Sequence, residues 1–132
     1  MTYLEFYSGI IKPFYAPPAW VFSYAWGIIY PLIAVAAIYL TFLIYKNKAS
    51  TKLVTLFVFN MIANIMFTPI LLKLQNNLIA SFDILVVFVT LSLFQGLAWK
   101  DSKLLFVTML PYFIWVIFAT FLQLNITWMN LL

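Results

Sequence analysis

Lys12-Pro13-Phe14-Tyr15-Ala16-Pro17-Pro18-Ala19-Trp20-Val21-Phe22, followed by Trp26 and Tyr30, joins a rigid aromatic loop to the start of a long apolar run. Three prolines within six residues fix φ and discourage helix as far as Pro17. Pro18 suits a first helical turn, where a missing N–H costs least. The chain enters a membrane at this junction, and the proline-rich segment 1–17 reads as a loop that lids a ligand site.

Working outward, the 132 residues are 67% hydrophobic and 8% charged. That is far more apolar surface than a small soluble core hides, and it indicates an all-α integral membrane protein of one domain, 1–132. Cysteine and histidine are both absent, which removes disulfides, thiolate nucleophiles, Cys/His zinc sites and histidine haem ligation. The net charge of +4 comes from lysines without a single arginine, so arginine-rich nucleic-acid patches and bidentate phosphate clamps are missing. Glu5 and aromatic residues occupy the place where a cleavable leader has a basic stretch followed by an apolar run.

A helix crosses the hydrocarbon core with about 20 residues rising roughly 1.5 Å each. Four segments are apolar for long enough, near 18–45, 52–73, 78–98 and 104–130, and the short connections between them make neighbours antiparallel. Lys46, Lys48 and Lys52 fall in the first connection and Lys100 and Lys103 in the third, against Lys12 and Lys73 at the opposite end. The positive-inside rule then puts connections 46–52 and 100–103 in the cytoplasm. Trp20, Trp99 and Trp128 lie near span ends, where indoles anchor at the headgroup level.

Inside the spans, helical spacing puts Phe22, Trp26, Ile29, Tyr30 and Ile33 on one face, and Asn60, Asn64 and Phe67 on another. Pro69 then interrupts the backbone ladder. In the last span Trp115, Ala119 and Leu122 follow the i, i+4, i+7 rule beside Phe118, and Ala119 leaves a notch between aromatics. Each pattern has two readings, helix packing with interhelical hydrogen bonds, or the wall of a site for a flat ligand. Asp83 has the same two readings, a structural hydrogen bond or a ligand or proton site. Paired catalytic carboxylates are not on offer, because Glu5 and Asp101 lie at or beyond span ends.

These pieces, in this order, resemble the translocator protein family, also called tryptophan-rich sensory proteins, from about Phe6 to Asn130. The family's Trp-Tyr, Leu, Lys-Pro, Pro-Pro, Trp-x-Phe, Trp and Leu-Tyr are similar to Phe6-Tyr7, Ile11, Lys12-Pro13, Pro17-Pro18, Trp20-Val21-Phe22, Trp26 and Ile29-Tyr30. Its Leu-Asn-x-x-Trp-x-Pro is matched by residues 63–69, and its Pro-Tyr-x-x-Trp-x-x-Phe-Ala-x-x-Leu-Asn by Pro111-Tyr112, Trp115, Phe118-Ala119 and Leu122-Gln123. Asp83 looks like an acid that mammalian members carry at this point.

The resemblance implies a helical bundle that binds porphyrins, haem-like tetrapyrroles or similar flat apolar molecules and requires no cofactor. It also implies a lining of Tyr7, Trp26, Asn64, Phe67, Trp115, Phe118 and Ala119, with Lys12, Pro13, Pro17 and Pro18 in the gating loop. Sensor, carrier and scavenger are the roles it offers. The family has five spans against four here, and its first precedes the Trp-Tyr pair. An upstream segment, a rearranged bundle, a partner subunit or a second copy of the chain then fills that place. Phe6 and Phe67 stand where the family has tryptophan, and Gln123 where it has asparagine. The change at Phe6 weakens the reading of a porphyrin-oxidising enzyme, and the last residues lack the Tyr and Lys/Arg of the animal cholesterol pattern. The lysine-only basic set, with abundant Ile, Phe and Asn, points to an A/T-rich bacterial genome and hence a bacterial cell membrane.

Overall fold

A computed structural model describes residues 3–131, with side chains for residues 5–130. It comprises a short helix α1 (Tyr3–Ser8) and four long ones, α2 (Ala19–Tyr45), α3 (Thr51–Lys73), α4 (Asn77–Asp101) and α5 (Lys103–Leu131). The four long helices are long and apolar enough to cross a membrane. Together with the sequence motifs they make this a multi-pass integral membrane protein whose environment is the lipid bilayer.

The segment expected to be a proline-rich loop, 1–17, contains α1. The prolines begin only at Pro13, and neither Pro nor Gly interrupts Tyr3–Ser8, so nothing opposes a helical turn there. Pro18 serves as the N-cap of α2, with φ −58° and ψ 150°, rather than as its first residue.

The connections are tight, and each has a local cause. Asn47, at φ 56°, takes the left-handed conformation after α2, and the Ser50 hydroxyl accepts the Leu53 N–H at 3.1 Å to start α3. Gln75, at φ 50°, turns the chain after α3, and Asn76 caps α4 by accepting from Ile79 N–H at 3.1 Å. The connection expected over 100–103 shrinks to Ser102. Its N–H donates to the Ala98 carbonyl at 2.8 Å, while its hydroxyl accepts the Leu105 N–H at 3.3 Å.

Around the bundle, α3 packs along α4, α4 along α5, and α5 along α2. Consecutive in sequence, α2 and α3 share no comparable seam. Lipid is as apolar as leucine, so association rests on close approach and interhelical hydrogen bonds. Ala36, Ala80 and Ala98 are fully buried and permit that approach. The lysine-bearing half of the bundle is filled by Ala36, Leu40, Leu43, Leu53, Leu91, Phe94, Ala98, Leu105 and Met109.

At the other end α1 lies across the bundle. Phe6 is buried against Leu71 and Ala80 of α3 and α4, whereas the next residue, Tyr7, is buried with Phe22, Leu122 and Ile126 of α2 and α5. Two adjacent side chains therefore tie the two halves of the bundle together from above. Trp20, Trp99 and Trp128 are all exposed near helix ends, as interfacial anchors require.

Candidate functional site: a lidded aromatic cavity

Hydrogen bonds thread all four long helices below the lid. The Tyr30 hydroxyl donates to Asn64 Oδ1 at 3.4 Å, and Asn64 Nδ2 donates to the Tyr112 hydroxyl at 2.9 Å. Tyr112 donates onward to Asn60 Oδ1 at 2.9 Å, and Asn60 Nδ2 donates to the Val87 carbonyl at 2.9 Å and to Thr90 Oγ1 at 3.0 Å. Every donor has a defined direction, which fixes both asparagine amides. Asn60 is thereby glue, the packing alternative of its two readings. Asn64 is both glue and wall, since it also borders a cavity.

That cavity, of about 330 Å³, occupies the half of the bundle nearest α1. Helix α2 contributes Phe22, Ser23, Trp26 and Tyr30, and α3 contributes Asn64, Phe67 and Thr68. Ile84 and Val87 of α4 and a stripe of α5 that includes Trp115, Ala119 and Gln123 close the floor. Trp26 stacks on Tyr30 at 5.0 Å between ring centroids and meets Trp115 edge-on at 6.4 Å. Phe22 also meets Trp115 edge-on, at 5.6 Å. Pockets for drug-sized ligands start near this volume and combine aromatic walls with a few convergent polar groups, as here.

Of the residues assigned to the lining from sequence, Trp26, Asn64, Phe67, Trp115 and Ala119 do border the cavity. Tyr7 and Phe118 do not. The Tyr7 hydroxyl donates to the Pro17 carbonyl at 2.5 Å, which turns it toward the loop, and Phe118 packs against Tyr15 and Trp115 behind the wall. Both belong to the apolar seam that seats the lid. Burial raises the Tyr7 phenol pKa above its ordinary value of 10.0.

The residues assigned from sequence to a gating loop are tied into the structure by hydrogen bonds. Lys12 Nζ donates to the carbonyls of Tyr7 (2.8 Å) and Ile10 (3.3 Å) and sits 4.8 Å from the Tyr7 ring centroid. The Pro13 carbonyl accepts from Ala16 N–H at 3.0 Å, and the Pro18 carbonyl from Val21 N–H at 3.0 Å. Pro17 receives the Tyr7 bond. Asn130 of α5 completes the fastening, accepting from Ile11 N–H at 3.1 Å and donating to the Ile11 carbonyl at 2.8 Å.

Sequence reasoning missed Ser23, Thr68, Ile84 and Val87, for which no motif gave a signal. Gln123 carried one, as the residue standing in for the family's asparagine. Its Nε2 donates to Asn77 Oδ1 at 3.3 Å and to Thr127 Oγ1 at 3.2 Å. Thr127 commits its own proton to the Asn77 carbonyl at 3.0 Å, so the Ser81 hydroxyl donates to Thr127. Asp83 is half-buried, lies outside the lining, and has one enclosed carboxyl oxygen without a partner among the described residues. The described residues hold no cluster of metal-binding side chains.

The fold and site together define a membrane-embedded helical bundle with a lidded aromatic cavity. The chain belongs to the TspO/MBR family, which it matches over residues 1–129. It is 31% identical over 127 residues to the uncharacterized membrane protein YtaB of Bacillus subtilis, covering 96% of this chain and 81% of that protein. Protein CrtK of Rhodobacter capsulatus is 31% identical over 129 residues, with 94% and 78% covered. The tryptophan-rich protein TspO of Archaeoglobus fulgidus is 28% identical over 126 residues, with 94% and 79% covered.

Proposed function

We propose that this protein binds tetrapyrroles or similarly flat apolar molecules in the bilayer, as a sensor, carrier or scavenger. The observation that carries the reading is the cavity itself, bounded by the Trp26, Phe67 and Trp115 rings with Asn64 at its side. Flat aromatic walls favour flat guests, and each ring contact contributes roughly 0.5–1.5 kcal/mol beyond the area buried. Asn64 uses one amide hydrogen on Tyr112 and receives one bond from Tyr30, so an amide hydrogen and a lone pair remain for a ligand's polar edge. A relative from Cereibacter sphaeroides named tryptophan-rich sensory protein supports the sensor role.

The test is quenching of tryptophan fluorescence by protoporphyrin IX in detergent, corrected for inner-filter absorption, in the protein and in Trp26→Phe. Saturable quenching is expected, with Kd raised roughly 2- to 12-fold by the substitution. Linear quenching that ignores the substitution means partition into the micelle and overturns the proposal.

A second reading, an assembly subunit, is favoured by one observation, the missing seam between α2 and α3. It predicts a tight oligomer without saturable ligand.

A further inference from the structure

Gln123 is only 6% exposed and yet borders the cavity, one helical turn beyond Ala119 on the α5 wall. Both hydrogens of its amide are spent away from that cavity, on Asn77 Oδ1 at 3.3 Å across the seam with α4 and on Thr127 Oγ1 at 3.2 Å in its own helix. Thr127 gives its proton to the Asn77 carbonyl and accepts one from Ser81, so a lone pair is all it has left for Gln123. A flipped amide would set oxygen against oxygen there. The network therefore fixes which end of the Gln123 amide is left for the cavity, and it is the carbonyl.

Gln123 Oε1 has no partner among the described residues and is not enclosed by them, so it meets the open volume that the residue borders. Other orphaned polar atoms of the bundle differ in this respect. Gln95, a buried glutamine of the solid half, also has an unpartnered Oε1, but packing encloses it beyond the reach of any guest. The Trp115 indole N–H is likewise enclosed, although its ring forms part of the cavity wall.

The described lining contains neither a lysine nor an acid, and Lys12 of the lid is held by the Tyr7 and Ile10 carbonyls instead. An ionised guest would thus find no counter-charge, and an ion without one is far costlier in hydrocarbon than a neutral group. A carbonyl facing an apolar volume is itself costly until a donor meets it. A ring N–H lies in the plane of its ring, at the edge. Aromatic side chains can then cover the faces of such a guest while the α5 carbonyl takes its edge.

From this we infer that the cavity selects an uncharged, flat heteroaromatic guest with an N–H on the edge it turns toward α5, and that Gln123 Oε1 reads that N–H. Asn77 and Thr127 are positioning residues, which act by holding the amide. The inference rests on the ligand-binding reading above and adds the edge chemistry of the ligand. A guest with a bare C–H at that edge leaves the oxygen unmatched, and one with a carboxylate there opposes acceptor to acceptor.

Carbazole and fluorene share one flat shape and differ at a single point, an N–H in place of a CH2. Their inhibition constants are read from displacement of protoporphyrin IX from the full chain in dodecyl maltoside, referred to micellar concentration. Carbazole is expected to bind at least about fivefold more tightly than fluorene. In Gln123→Met, which keeps the length and removes the acceptor, that preference should vanish. In Gln123→Glu, which presents an oxygen whether protonated or ionised, it should persist although the bonds to Asn77 and Thr127 change. Equal constants in the unaltered protein overturn the inference and leave ligand binding standing, as does a preference that survives Gln123→Met or is lost in Gln123→Glu. Failure of both probes to displace bound protoporphyrin IX does the same. Absence of saturable protoporphyrin IX binding overturns both readings. If Gln123→Met does not fold, the unaltered protein and Gln123→Glu decide.

Discussion

Asn64 and Tyr112 are joined by a buried 2.9 Å hydrogen bond between the third and fifth helices, directly beneath the cavity. Because Tyr112 passes its own proton to Asn60, one phenol serves two amides and couples the cavity wall to the α3–α4 contact at Val87 and Thr90. Phenylalanine fits the same space but leaves a donor and an acceptor without partners. Tyr112→Phe should therefore cost about 1–2 kcal/mol of stability, measured by reversible unfolding in mixed micelles with increasing dodecyl sulfate. An unchanged midpoint would mean that the two asparagines find other partners.

Ala119 contributes the smallest side chain on the α5 wall between Trp115 and Gln123. Ala119→Phe puts a ring into the cavity without touching the lysine-end core. Porphyrin affinity should fall by at least about tenfold, or 1.4 kcal/mol, with helix content by circular dichroism unchanged. Full affinity in this variant would exclude the cavity as the binding place.

Asn130 holds the lid through both the N–H and the carbonyl of Ile11. In Asn130→Ala the Ile11 amide loses its acceptor, and hydrogen exchange over residues 9–18 should accelerate roughly 2- to 12-fold for about 0.5–1.5 kcal/mol of lost fastening. Exchange in α4, which does not touch this loop contact, should stay as it was.

Tyr7 gives the lid a pH limit. Burial raises its phenol pKa in the folded protein above the ordinary value of 10.0, so folding favours the neutral form. Its contribution is complete below pH 10 and is lost as pH rises through the folded-state value. Protection factors of the 9–18 loop, which divide out the base catalysis of exchange itself, should fall in alkaline solution while the spans stay helical, and in Tyr7→Phe they should no longer depend on pH in that range.

The spans were legible because lipid allows little else. Runs such as Ala19–Tyr45, without a charge, have one stable form in hydrocarbon. Trp26, Asn64, Phe67, Trp115 and Ala119 were legible as faces, since 3.6 residues per turn brings them round to the interior. What periodicity lacks is rotation and depth. Phe118, next to Ala119 and three residues from Trp115, turns toward Tyr15, and Tyr7 turns toward Pro17 because its hydroxyl finds a carbonyl there. Neither choice is written in the spacing. Ser23 and Thr68 were invisible because a hydroxyl in a membrane helix ordinarily bonds its own backbone. The helix α1 was missed because the three prolines dominate the reading of a segment whose first eight residues contain none.

The bundle is divided between a solid lysine-bearing half and a hollow half under α1. The packed alanines, leucines and Phe94 keep the helices assembled whatever the other half contains. Ala119, on the cavity wall, takes no part in that packing. Under the ligand-binding function proposed above, substitutions at such positions would alter molecular selectivity at little expense in foldedness, so that a single scaffold could drift between guests over evolutionary time without first surrendering its architecture.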